Sequence, residues 1–393
     1  MKFLFVANTP RDTNLGAPNI DIATMNALRQ LGHDVDEIWG TDMPRRITHP
    51  NLHQLLELPH SYALAVNRCC MNQEYDVIQV NQPHAYLAAK AHQLLCRPGV
   101  FINRSHGWEP AVREALEQYR GTLADRRAWW RRRASRVMSY LLERHNGDAV
   151  RWSDGIILSS VDDEQFVVNH YEVRAEKLMT LAPGISPEFF SELPTEAPRR
   201  WSRLLHVGNF SPQKAPEIVA AVFRRVIEAH PECKATWVCP ARCHLEARRL
   251  IGKPAVDSVV FLDWMPRSEL LQCYDNHGIL IFPSYFEGFA QTFLEGMSRG
   301  QCVLTTAVDG MRQTIRDGVD GFTFPSGSSE AIAKKAIQLI CNPDECRQVS
   351  VRARETALQF TWERTARNFV DFCTELLSLR KTRMAHLDGS RQR

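Results

Sequence analysis

Short apolar runs alternate with amphipathic segments in two successive sets, and this alternation limits the fold more than any other feature of the chain. In the first set, residues 3–7, 35–38, 75–80, 100–102, 155–159 and 178–181 read as strands. Residues 20–31, closed by Gly32, and 85–95 read as helices between them. The second set has strands over 203–207, 235–238, 259–261, 279–282 and 303–305, with a last one near Phe322. Its helices cover 216–229, 244–251, 267–274 and 292–298. Strands joined through helices run parallel with right-handed crossovers, and ligands gather at their carboxyl ends. The fold class is therefore α/β, doubly wound, in two domains. Between the sets, 185–203 is rich in Pro, Glu and Ser. The division expected is a first domain over 1–190, a linker over 191–202 and a second domain over 203–361. A helix from Trp362 to about 380 follows, and the polar, basic residues 381–393 read as a disordered tail.

Composition agrees. A chain of 393 residues is long for one core and natural for two of about 150 to 200 residues each. The net charge of +3 is too small to argue for nucleic acid, and no basic stripe alternates with stacking aromatics. Eleven cysteines, an odd number without regular spacing, fit buried thiols in a reducing compartment better than a disulfide framework. Cys239, Cys243 and His244 lie together without a second ligand pair, so they do not read as a metal site. The adjacent Cys69 and Cys70 read as structural. The opening residues read as a first strand rather than a signal segment, and no apolar run approaches the roughly 20 residues of a membrane span. A cytoplasmic protein is expected.

The chemistry concentrates where the 279–282 strand breaks at Pro283-Ser284. There Glu287-Gly288-Phe289-Ala290-Gln291-Thr292-Phe293-Leu294-Glu295 sets two carboxylates with seven residues between them. One lies on the loop after a strand, the other about a turn into the next helix. Between them the backbone N–H groups of Phe289, Ala290, Gln291 and Thr292 lack intrahelical acceptors and, with the helix dipole, suit a diphosphate. A ligand with both hydroxyls and phosphates fits.

This stretch resembles the acidic signature of the family-four retaining glycosyltransferases (glycosyl transferases group 1). So do Asp309-Gly310-Met311, 315–318, Asp320-Gly321-Phe322 and Phe360-Thr361-Trp362-Glu363, in the family's order. Upstream, 205–214, with Gly208, Asn209 and Lys214, is similar to the family's phosphate loop. The first half matches more loosely, at Gly16, 106–109 and 182–185. The resemblance implies a GT-B fold, two Rossmann-like domains facing across a cleft, with the helix from Trp362 packing back on the first. It also implies roles. Glu295 accepts bonds from the ribose hydroxyls of a nucleotide sugar, Glu287 from the transferred sugar, and Lys214 offsets charge on the diphosphate leaving group. For all three, solvated surface charge is the competing reading.

The chain departs from the pattern at Asn209, where the family has Arg, and at Ala215, where it often has Gly. Losing a guanidinium removes a bidentate, permanently charged donor, although Asn still donates one neutral bond. Gly16, in the loop after the first strand, allows either close backbone approach to phosphate or ordinary turn chemistry. His106 follows a strand at the position where the family holds a histidine beside the sugar; a structural histidine is the other reading. No metal or other cofactor is required. Asp34-Val35-Asp36 reads as a solvated turn, and cationic side chains replace a metal in the resembling family.

Residues 126–145 form a basic amphipathic helix in which Arg126, Arg127, Arg131, Arg132, Arg133 and Arg136 surround Trp129 and Trp130. Trp130, Ala134, Val137, Met138 and Leu141 share one face. An anionic membrane surface with a lipid-linked acceptor, an anionic glycan acceptor, and an apolar stripe turned to the core with its arginines in water all remain open. The function expected is retaining transfer of a hexose from a nucleotide sugar to a glycolipid, polysaccharide or small-molecule acceptor, in the cytoplasm or peripherally on the inner face of a membrane. Another GT-B enzyme, epimerase or phosphorylase, and a sugar-nucleotide-binding protein without turnover are the alternatives. A dehydrogenase is disfavoured, because no G-x-G-x-x-G follows either leading strand.

Overall fold

Each leading strand carries apolar side chains on both faces, as only a strand covered on both sides does. In the computed structural model, which describes residues 1–12, 16–81, 83–120, 129–193 and 199–391, each lies inside a six-stranded, wholly parallel sheet. The first sheet holds β1 (Lys2–Val6), β2 (Asp34–Ile38), β3 (Val77–Asn81), β4 (Val100–Arg104), β5 (Gly155–Leu158) and β6 (Leu178–Thr180). Their order is β2-β1-β3-β4-β5-β6. The second holds β7 (Arg203–Val207), β8 (Lys234–Val238), β9 (Val259–Leu262), β10 (Ile279–Phe282), β11 (Cys302–Thr306) and β12 (Phe322–Phe324), ordered β12-β11-β10-β7-β8-β9. The winding reverses between β1 and β3 in one sheet and between β7 and β10 in the other. At such a reversal the loops after the two central strands diverge and leave a crevice at their carboxyl ends.

The chain divides into two compact units. The first is Met1–Ala111, Arg120–Ala182 and Trp362–Arg393, and the second is Val112–Tyr119 and Pro183–Thr361. In the first unit the period of two along β1 sends Phe3 and Phe5 to one face and Leu4 and Val6 to the other. Leu4 and Val6 meet Leu58, Tyr62 and Val66 of the helix Leu58–Asn72. Phe3 and Phe5 meet Met25 and Leu28 of the helix Gly16–Gln30, and Phe369, Phe372 and Leu376 of the last helix, Trp362–Arg391. The Phe369 ring centroid lies 5.8 Å from that of Phe3 and 6.1 Å from that of Phe5. A Cβ at Gly155 would run into the end of Leu376 and lie 3.1 Å from the Phe372 ring, so a larger residue in β5 would force those two side chains to shift. Arg380 fixes the far end by donating to both oxygens of buried Asp154 at 2.8 Å, while Asp154 accepts the Phe101 N–H at 2.9 Å. The second unit's core joins Leu204, Ile279 and Ile281 to Val222, Phe223 and Trp237.

Three local expectations change. Gly16 is the first residue of its helix rather than part of the preceding loop, and a Cβ there would meet nothing within 4 Å. Asp34 and Asp36 belong to edge strand β2, where Lys2 pairs with Asp34 at 3.2 Å and the Tyr75 hydroxyl donates to Asp36 at 2.8 Å. The last helix continues to Arg391, past the tail boundary expected at 380.

Candidate functional site

The second sheet's reversal is flanked by two loops that meet through charge. β7 ends at Val207, and Gly208 donates its N–H to the Val238 carbonyl at 3.1 Å. A 3-10 turn, Pro212–Lys214, leads to Ala215, whose left-handed φ of 49° turns the chain into the helix Pro216–Ala229. That backbone explains the glycine common at this position in the resembling family, since an alanine there carries strain. On the other side β10 ends at Phe282 and the chain turns through Ser284 to Glu287. The Lys214 ammonium pairs with Glu287 Oε1 and lies 5.1 Å from the Phe282 ring centroid. Ser284 Oγ donates to the same oxygen at 2.8 Å. The Glu287 N–H donates to Asp309 Oδ2 at 2.8 Å, and the Tyr285 N–H to the Gln213 carbonyl at 2.8 Å, tying the two loops together.

Glu287 is therefore held at its backbone and at one oxygen, and among the described residues Oε2 accepts no bond. Lys214 spends one of its three ammonium donors on Glu287. Asp309, buried and itself left-handed at φ 46°, lies in the Asp309-Gly310-Met311 motif and fixes Glu287. Beneath the pair, His206 joins β7 to β10 by a 2.8 Å bond between Nδ1 and the Ile281 carbonyl. Burial lowers this imidazole to about 4, nearby Lys214 pushes the same way, and the Ile281 bond opposes them. It is neutral at ordinary pH. Asn209 is exposed.

Glu295 sits one turn into the helix Gln291–Ser298, which starts from extended Ala290 without a side-chain cap. Its first N–H groups have no intrahelical acceptor. Phe289 is buried, its ring 5.6 Å from Phe293 and 6.0 Å from Phe360, and a Cβ on Gly310 would meet that ring at 2.6 Å. The Gln291 side chain donates to the Gly184 carbonyl at 3.0 Å. Thr292 is half-buried and accepts the Tyr274 hydroxyl on its carbonyl at 3.4 Å. Glu295 is buried with both oxygens engaged, Oε1 by Arg267 and Oε2 by the Tyr274 hydroxyl at 3.0 Å. Burial pushes its carboxyl up, and the Arg267 charge and the Tyr274 bond pull it back. Arg267 also lies 3.3 Å from Glu188. Neither Arg267 nor Tyr274 was singled out by the sequence, which has no spacing rule that links them to Glu295.

His106 lies in the first unit, at that sheet's own reversal. Asp21, from the helix after β1, and Asn81, the last residue of β3, surround it. Asp21 Oδ1 is 3.4 Å and Asn81 Nδ2 is 3.3 Å from His106 Nε2. The turn that carries His106 is anchored where Asp163 Oδ1 accepts the Trp108 N–H at 3.1 Å. Burial raises Asp163 to about 6 against the bonds from Trp108 and Ser160.

In the basic segment, Arg126 and Arg127 lie outside the described residues, as do the side chains of Trp129, Trp130, Arg131 and Arg132. The helix itself runs Trp129–Trp152. Arg133 and Arg136 are exposed, and so is Val137, which the sequence put on the apolar face; Met138 and Leu141 are half-buried. Among the described residues no helix is long and apolar enough to cross a membrane.

Residues 202–342 match the family model of Glycosyl transferases group 1. The D-inositol 3-phosphate glycosyltransferase of Kribbella flavida is 27% identical over 237 residues, 55% of this chain and 55% of that protein. The chain spans about half the length of the curated relatives it matches. Sucrose-phosphate synthase from Thermosynechococcus elongatus superposes with a TM-score of 0.74 at 17% identity, over 96% of this chain and 100% of that one. Anabaena HepE in complex with UDP and glucose superposes at 0.68 and 17% identity, over 95% and 99%. The fold is GT-B, and the resemblance drawn from the sequence is borne out.

Proposed function

We propose that this protein is a nucleotide-sugar-dependent glycosyltransferase that moves a hexose, with retention of anomeric configuration, to a glycolipid, polysaccharide or small-molecule acceptor. One observation carries the reading: Lys214 and Glu287 pair across the reversal of the second sheet with binding capacity left on each. Two ammonium protons of Lys214 remain for diphosphate oxygens, and Glu287 Oε2 remains for a sugar hydroxyl. As the glycosyl bond breaks, charge grows on the diphosphate, and a fixed ammonium with uncapped helix N–H groups offsets it. Glu295 accepts ribose hydroxyls on the lone pairs that Arg267 and Tyr274 leave. The UDP bound in HepE and the name of the Kribbella relative support this choice of donor and reaction class.

No step calls on a metal. Arg133 and Arg136, exposed beside Val137 and Tyr140, support peripheral attachment to an anionic membrane surface near a lipid-linked acceptor. Asn209 supports a second reading, binding of a sugar nucleotide without turnover, because a neutral amide stands where the family holds a guanidinium. A panel of uridine, guanosine and adenosine diphosphate sugars, assayed for nucleotide release with and without glycan acceptors, separates the two. Acceptor-dependent release that Glu287→Ala abolishes is expected. A donor that binds but never turns over leaves the second reading, and a chain that binds none of the panel ends both.

A further inference from the structure

Asp21 breaks the pattern of its own helix. In Gly16–Gln30 the inward stripe is Asp21, Thr24, Met25 and Leu28, so a carboxylate occupies a place that spacing reserves for an apolar side chain. Such local conflicts gather at functional sites. The side chain is only 2% exposed, and a carboxylate that deep must be compensated. Oδ2 is served by the Asn81 amide. Oδ1 has no hydrogen bond of good geometry; His106 Nε2 lies 3.4 Å from it and Arg104 Nη1 lies 3.8 Å from it. Arg104, equally buried, already directs Nη1 to Thr24 Oγ1 at 3.3 Å.

His106 Nε2 therefore faces two neighbours with opposite demands. The Asn81 amide would donate to a bare Nε2, whereas the Asp21 carboxylate would accept from a protonated one. An ionised oxygen left buried without a donor costs more than an amide proton left without an acceptor, and Asn81 already spends one proton on Oδ2. We infer that Asp21 is the positioning residue of His106, holding the imidazole proton on Nε2 so that Nδ1 is the atom offered to substrate. Among the described residues Nδ1 makes no bond, and the ring is 10% exposed. A bare Nδ1 accepts, so the substrate group it takes is a hydroxyl. The inference rests on the glycosyltransferase reading for what that hydroxyl belongs to, and on the buried carboxylate alone for where the proton sits.

The test has two arms. Long-range proton–nitrogen correlation on the full chain, with histidine labelled and the His106 signal assigned by its loss in His106→Gln, reads the tautomer without substrate. At a pH where the ring is neutral, the proton is expected on Nε2; a proton on Nδ1 overturns the proposal whatever the chain's activity. In the second arm Asp21→Asn should lower kcat by about ten- to a hundredfold with little change in donor KM, as a misaligned group does. Asp21→Asn with Asn81→Asp returns a carboxylate to the other neighbour of Nε2 and should recover most of the loss. A kcat within twofold of wild type in Asp21→Asn, with His106→Gln inactive, would also overturn it. A wild-type chain without turnover defeats the glycosyltransferase reading alone and leaves the tautomer result standing.

Discussion

The two units share an architecture and use it for opposite electrostatics. Each has six parallel strands with polar side chains gathered where the winding reverses. In the second, Lys214 and Glu287 balance each other and keep unused donors and an unused acceptor. In the first, Asp21, Asn81 and Arg104 are almost fully buried and turn their polar atoms on one another and on His106. In the proposed reading, one edge takes up charge from a ligand. The other is built to hold a single imidazole still. The difference arises in what each first crossover helix contributes: a lysine ahead of its first turn in one case, an inward aspartate in the other.

The contrast is most exposed to attack at Lys214. Lys214→Met should lower turnover by about a hundred- to a thousandfold, the cost of removing one preorganised donor to developing charge, while the chain stays folded. Turnover within tenfold of wild type would mean that the second edge does not carry the leaving group. Next is Arg380→Ala in the first unit, which strips Asp154 of its ion-pair partner and leaves a buried charge with, among the described residues, only the Phe101 N–H. A loss of about 3 kcal/mol in the free energy of denaturant unfolding is expected. An unchanged midpoint would say that the last helix needs no such clamp.

A smaller effect belongs to pH. The folded chain keeps a proton on Asp163 up to about 6, whereas the unfolded chain releases it near 3.8. Between those values the folded state binds more protons, so stability falls as pH rises, by about 3 kcal/mol in order of magnitude. Asp163→Asn should flatten that slope in thermal melts taken across the window; an undiminished slope assigns it to another group. Smallest for the fold is Arg133→Ser with Arg136→Ser, which should move stability by less than about 0.5 kcal/mol. The same change should abolish flotation with anionic liposomes, and a wild-type chain that never floats removes the membrane attachment altogether.

Local features were legible in advance and distant pairings were not. The strands ending at Val207 and Phe282 match their apolar runs because a doubly covered strand needs little else. The Glu287 to Glu295 stretch stood out because its parts are adjacent in the chain. Arg267 did not, since it meets Glu295 only after the rest of its helix, a strand and two loops. Asp21 escaped for the same reason, 85 residues before His106 and in a stripe that reads as core (106 − 21 = 85). The helices Ser329–Cys341 and Pro343–Ala357 are hard to read from the chain, because only Asn342 separates them and no loop marks their ends.

The last helix has a consequence for how the molecule comes into being. Phe3 and Phe5 are translated before the second unit, yet Phe369 and Phe372, two of the side chains that cover them, are translated after it. The second unit's strands are all made in the interval, so that unit can finish while one face of the first sheet waits with only the helix Gly16–Gln30 upon it. A nascent chain in that condition is a client for holdase chaperones, and premature stop codons shortly before Phe369 would yield a product that never leaves them.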